Sequence, residues 1–133
     1  MNRLRVASSL PDDLEDLIRE VIGCCVTVHR DLGPGLLENV YPRAIAMELD
    51  DRGISHSTEK AVPIRYKGRL LCHHRIDLLV DDRLVVEVKS VERLIPVHVA
   101  QVLNYLRITG TRAGLLINFN VPLLKQGIRR IVL

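Results

Sequence analysis

The sequence predicts an α/β or α+β sandwich in the order helix, helix, three strands, helix, strand, strand (ααβββαββ), and three observations carry it. Apolar residues recur at steps of three and four up to about residue 51, then at steps of two from residue 60. Helical spacing returns after Pro96, and past Gly110 a continuous apolar run follows. These two periods are the signatures of helices and strands that each bury a face, as layered architectures require. The 133 residues fit one domain spanning 1–133, with residues 1–10 expected to form a loose N-terminal arm. No linker, internal repeat or low-complexity tract divides it.

The first helix opens at Pro11, which suits a first turn, and carries Asp12, Asp13 and Glu15 where the positive end of the helix dipole favours acids. Leu14, Leu17, Ile18, Val21, Ile22, Cys25, Val26 and Val28 supply its apolar stripe. Leu32-Gly33-Pro34-Gly35 must interrupt it, because Pro34 cannot continue a helix without strain. Gly33 is expected to end the helix in a left-handed conformation and Gly35 to allow tight re-entry. A second helix is expected from about Leu36 to Asp51, carrying Leu37, Val40, Ala44, Met47 and Leu49. Val62, Ile64 and Tyr66 predict a strand, Lys67-Gly68 a turn, Leu70 to Val80 a second strand and Leu84 to Ser90 a third. A helix from Pro96 to Gly110 precedes a doubly buried strand, Ala113 to Phe119, and an edge strand from Gly127 to Leu133.

Composition narrows the classes of function. A 47% hydrophobic fraction beside 26% charged residues describes an ordinary globular chain. With one Phe, three Tyr and no Trp, aliphatic residues must fill the core. The net charge of +3 permits phosphate contact without demanding it. Cys24, Cys25 and Cys72 form neither a disulfide framework nor a zinc pattern, and fit thiols in a reducing cytoplasm. No charged-then-apolar leader opens the sequence and no apolar run is long enough for a bilayer, so a cytoplasmic protein without membrane contact is expected.

Arg75 to Ser90, RIDLLVDDRLVVEVKS, is the stretch that carries chemistry. Alternation puts Ile76, Leu78 and Val80 on one face of their strand, with Leu84, Val86 and Val88 likewise on theirs. Asp77, Glu87 and Lys89 then point the other way. A two-residue turn would set Asp77 opposite Val86, whereas a three-residue loop, Asp81-Asp82-Arg83, sets it opposite Glu87. The aliphatic pattern selects the three-residue loop or a bulge. Charges at such positions are costly unless paired or metal-bound. Two converging carboxylates suit magnesium or manganese, and Lys89 could stabilise the extra charge of a reacting phosphate. The same alternation also suits an exposed ion pair on a half-solvated strand.

Asp77, nine residues, then Glu87-Val88-Lys89 resembles the signature of the PD-(D/E)XK nuclease superfamily, with Ile76 where a proline usually stands. Gly35-Leu36-Leu37-Glu38-Asn39-Val40-Tyr41 resembles the GxxExxY pattern of a small bacterial family within it. Gln101 and Tyr105 stand in a Q-x-x-x-Y arrangement similar to that of recombination-type exonucleases, and GLLINFN and GIRRIVL resemble the family's last two strands.

The resemblance implies a restriction-endonuclease-like fold, a central mixed sheet flanked by helices. It implies a magnesium- or manganese-dependent nuclease hydrolysing phosphodiester bonds, DNA being the expected partner. Asp77, Glu87, Lys89 and Glu38 would be catalytic, with Glu38, Asp77 and Glu87 as metal ligands and Glu38 projecting from the second helix. Gln101, Tyr105 and Tyr41 would contact substrate. His29 recurs in the family pattern, and a local structural role and an active-site role both remain open for it. The alternative is a catalytically silent module of the same fold that binds nucleic acid or a protein partner. A homodimer would let two sites address two strands.

Overall fold

Residues 8–133 are described by a computed structural model. In chain order the elements are α1 (Asp12–Leu32), α2 (Val40–Asp51), β1 (His56–Tyr66), β2 (Arg69–Val80), β3 (Leu84–Lys89), α3 (Pro96–Thr109), β4 (Ala113–Asn118), a 3-10 turn (Leu124–Gly127) and β5 (Ile128–Val132). The five strands form one mixed sheet in the order β1-β2-β3-β4-β5, in which β3 and β4 run parallel and the other neighbours antiparallel. The parallel pair requires a crossover, and α3 is that crossover.

Helices cover both faces of the sheet, so the central strands carry two cores. Beneath α1 and α2, residues such as Ile18, Val21, Ile45 and Leu49 pack on Leu78, Val80, Val86, Val88 and Leu115. Beneath α3, Val102, Tyr105 and Leu106 pack on Ile76, Leu79, Val85 and Leu116. Every residue from Leu84 to Val88, and all of β4, is therefore buried. Among the described residues aromatic scarcity leaves one stacked pair, Tyr41 on Phe119 with ring centres 4.4 Å apart.

α1 ends at Gly33 as expected, but with φ 68° and ψ −178° rather than in the left-handed helical conformation; its N–H returns to the His29 carbonyl at 2.9 Å, and Gly35 follows at φ 93°. α2 departs from expectation, beginning at Val40 rather than near Leu36. Its buried stripe is Tyr41, Ile45 and Leu49, at four-residue steps, while Leu37, Val40 and Met47 are exposed. Burial of Tyr41 fixes the rotation of this helix, and Leu37 gains nothing from joining it. Of the loose arm expected over residues 1–10, residues 1–7 lie outside the described residues, whereas Leu10 is packed into the core. No helix among the described residues is long and apolar enough to cross a membrane.

Gly127, at the end of the loop from β4 to β5, lies close against the Asn118 backbone. A Cβ on Gly127 would stand 2.1 Å from the Asn118 carbonyl oxygen. Gly127→Ala is therefore expected to lower stability by about 1–3 kcal/mol in urea unfolding, and an unchanged midpoint would show the approach to be looser.

Candidate active site

The hairpin joining β2 and β3 sets the register of the site. Asp81, Asp82 and Arg83 form the loop, closed by the Arg83 N–H on the Val80 carbonyl at 2.9 Å, with both aspartates at φ 53°. Asp and Asn tolerate that conformation better than most side chains. The ladder then runs Val80↔Leu84, Leu79↔Val85 and Leu78↔Val86, the register of the expected three-residue loop.

Past Leu78 the ladder stops. One step on, where Asp77 and Glu87 come level, side chains replace the backbone bonds. The Asp77 N–H donates to Glu87 Oε1 at 2.9 Å, and the Val88 N–H donates to Asp77 Oδ2 at 2.9 Å. Each acid thus holds the other's strand. β2 also changes face here: Leu78 and Val80 pack beneath α1 and α2, but Ile76 packs beneath α3. The expectation that Ile76 shares a face with Leu78 and Val80 is therefore corrected. Glu59, across from Asp77 on β1, takes φ 49° at the same point and interrupts the β1–β2 pairing.

Burial governs the electrostatics. Glu87 is only 4% exposed, because α3 covers the face that the alternation pattern left open. Loss of solvent, and then the negative charge of Asp77, push the Glu87 carboxyl up to about 8. Loss of solvent likewise raises Asp77, opposed by the hydrogen bond from Val88. Among the described residues the second oxygen of each acid makes no hydrogen bond, and neither oxygen is sealed from solvent. Two oxygens are thus free to bind a cation.

Lys89 follows Glu87 by two residues, and its Nζ lies 3.9 Å from Glu38 Oε1. Glu38 sits in the turn before α2, not on the helix, with its side chain half exposed. Three hydrogen bonds fix that turn. Tyr41 donates its hydroxyl to the Gly33 carbonyl at 2.8 Å and accepts the Leu36 N–H at 3.1 Å. Ser90 Oγ, at the end of β3, donates to the Leu36 carbonyl at 2.8 Å. The substrate-contacting role expected of Tyr41 is corrected accordingly: the side chain is fully buried, and its hydroxyl holds the loop that presents Glu38.

On the other side, Gln101 Nε2 donates to the Tyr105 hydroxyl at 3.2 Å. Burial first, and then Glu87 and Asp77, raise the Tyr105 phenol, so it stays neutral. Gln101, Tyr105 and Lys89 line one groove of about 890 Å³ between β1–β2 and α3. His29 is buried, its ring Nε2 meeting the Val121 carbonyl at 2.9 Å, a contact that favours the local structural role.

The metal set differs from the expected one. Among the described residues no three His, Cys, Asp or Glu side chains gather at one point to hold an ion. Glu38 pairs with Lys89 instead of closing on Asp77 and Glu87. The two remaining carboxylates still fit magnesium, which is commonly held by one or two carboxylates with water and phosphate completing its shell. Residues that the sequence did not single out are Ser90 and Asn118. Asn118 is buried, donates to the Val91 carbonyl and accepts the Val91 N–H, fixing the chain just past Lys89. A polar residue ending an apolar strand was the available signal for Asn118.

Because Glu87 binds its proton more tightly folded than unfolded, its contribution to stability is complete below about pH 4.5 and is lost as pH rises through about 8. In EDTA the melting temperature is expected to fall across that window. Glu87→Gln should flatten the fall and melt higher than the unaltered protein at pH 8. Parallel profiles for the two proteins would refute this.

A family model described as the PD-(D/E)XK nuclease superfamily matches residues 15–131, from the first turn of α1 to β5. Neither the curated proteins nor the solved structures give a match. The family match takes in every strand, both carboxylates and the lysine beside them, so the chain belongs to the PD-(D/E)XK nuclease superfamily.

Proposed function

We propose that this protein is a magnesium- or manganese-dependent nuclease that hydrolyses phosphodiester bonds, in DNA above all, and that within its superfamily it is of the GxxExxY type. The observation that carries this reading is the reciprocal pair of Asp77 and Glu87, each with a free oxygen, beside an ammonium group at a groove. Superfamily membership supports it independently.

Asp77 and Glu87 would hold the cation, which when bound supplies neutralisation of charge at the scissile phosphate. Lys89 is mostly buried at its side chain, where a hydrogen bond to a phosphate oxygen gains strength as negative charge develops. Glu38, on its more exposed side, orients that ammonium. Gln101 and Tyr105 offer an amide and a neutral phenol to the substrate along the groove wall. Three free thiols, with Cys72 exposed, fit a reducing cytoplasm.

Purified protein is expected to cleave DNA with magnesium or manganese and to stop in EDTA. Glu87→Gln or Lys89→Ala should lower the rate by about 10²–10³-fold or more. A preparation inert on single-stranded, double-stranded, nicked and branched DNA would sink the reading and favour a silent binding module. Magnesium binding should also expel the Glu87 proton at pH 7. Calorimetric heats in HEPES and Tris should differ, and Glu87→Gln should remove the difference.

The Glu38 loop gives a separate test. Tyr41→Phe keeps the ring stack on Phe119 but frees the Gly33 carbonyl and the Leu36 N–H. It is expected to cost about 1 kcal/mol in stability and to slow cleavage. Wild-type cleavage by this variant would separate the loop from the site.

A further inference from the structure

β2 reaches well past the sheet that anchors it. It pairs with β3 only through Leu78, Leu79 and Val80, yet pairs with β1 along nearly its whole length. Arg69 to Arg75 are all exposed, and at ~3.4 Å per residue these seven positions make a two-stranded overhang of about 24 Å. A two-stranded ribbon gains little stability alone in water, and here Val62, opposite His74, packs it against the α3 core.

Its composition is one-sided. Between Glu59 and Asp77 lie Lys60, Arg65, Lys67, Arg69 and Arg75, with His73 and His74, and no acid at all. The chain as a whole has 19 basic against 16 acidic residues, so the ribbon departs sharply from the average. Tyr66 and Leu71 are more than 60% exposed on it, as is Val97 on α3 opposite. The groove between ribbon and helix has Pro63, Ile64 and Val97 in its walls, Arg65 and His74 on the ribbon side, and Lys89 among its lining residues.

Apolar walls with cations and no acids fit a ligand that is planar and apolar on one side and anionic on the other. Unpaired nucleotides have that character, stacking on apolar or aromatic groups while their phosphates follow basic ones. A duplex buries its base faces and would leave the walls wet. A bilayer shares the chemistry, but its flat surface cannot enter a concavity that leads to Lys89. We propose that the groove between the β1–β2 ribbon and α3 binds a single-stranded segment of nucleic acid, with its bases against the apolar walls and its phosphates on the ribbon cations. That this segment delivers the scissile bond to Lys89 rests on the nuclease reading above; the binding itself does not.

The test is fluorescence anisotropy in EDTA with the full chain, a labelled 30-nucleotide thymidine oligomer and a duplex of equal length. The oligomer should bind at least tenfold more tightly than the duplex. The triple variant Arg65→Ala, Lys67→Ala, Arg69→Ala should weaken oligomer binding tenfold or more. It should also reduce the slope of log affinity against log salt by about 2, at ~0.7 per phosphate contact on single strands. Val97→Glu, which adds a charge to the opposite wall without touching the ribbon, should weaken it as well, and unchanged melting temperatures will show that both variants fold. Equal or tighter duplex binding, variants that bind like the unaltered protein, or binding to vesicles of anionic phospholipid with none to the oligomer would each overturn the proposal. Ribbon-dependent oligomer binding without cleavage in magnesium would uphold it while sinking the nuclease reading. Cleavage with ribbon-independent binding would do the reverse.

Discussion

Asp77 and Glu87 each bind the backbone of the other's strand, and this exchange is the constraint on which the site depends. A continued ladder would have paired the backbones and left both side chains to rotate freely. Instead the Asp77 N–H is taken by Glu87 and the Val88 N–H by Asp77, so each acid is held at one oxygen. The strands can part here because both N–H groups remain satisfied, as buried backbone must be. The geometry of the pair thus belongs to the sheet, not to flexible side chains.

The pair carries an electrostatic cost that the surroundings maintain. α3 lies over the face that carries Glu87, with Tyr105 near the acid, removing the solvent that would have screened two neighbouring carboxylates. Near neutral pH such a pair keeps a proton or takes a cation, since two bare charges in that setting repel strongly. Lys89 offsets this only in part, because its Nζ is engaged with Glu38. Stability is therefore given up at the two residues proposed to hold the cation, and displaced pKa values of this kind cluster at functional sites.

Outside this centre the chain uses polar bonds to place loops and leaves one projection free. Tyr41, stacked on Phe119, ties the Gly33–Leu36 turn to the core, and Ser90 ties the same turn to the end of β3. Asn118 fixes Val91 just past Lys89. The β1–β2 ribbon is held beyond the sheet by packing instead, with Val62 buried in the α3 core and the His74 ring edge-on to Tyr105. A rigid centre thus stands beside an exposed extension that carries five basic residues and no acid between Glu59 and Asp77.

Much of this was legible in the residues alone. The change of period at residue 60 and its reversal after Pro96 determined the element order, and the aliphatic pattern of Leu78 to Val88 determined the three-residue loop that sets Asp77 beside Glu87. These are local properties, fixed by spacing along the chain. Tertiary structure decided the rest. That α3 covers Glu87, that β2 turns over at Asp77, that Tyr41 points into the core, and that Glu38 pairs with Lys89 all depend on which distant element fills a face. Periodicity says that a face exists; only packing says what lies against it, and burial and charge, from which the chemistry follows, are properties of that neighbour.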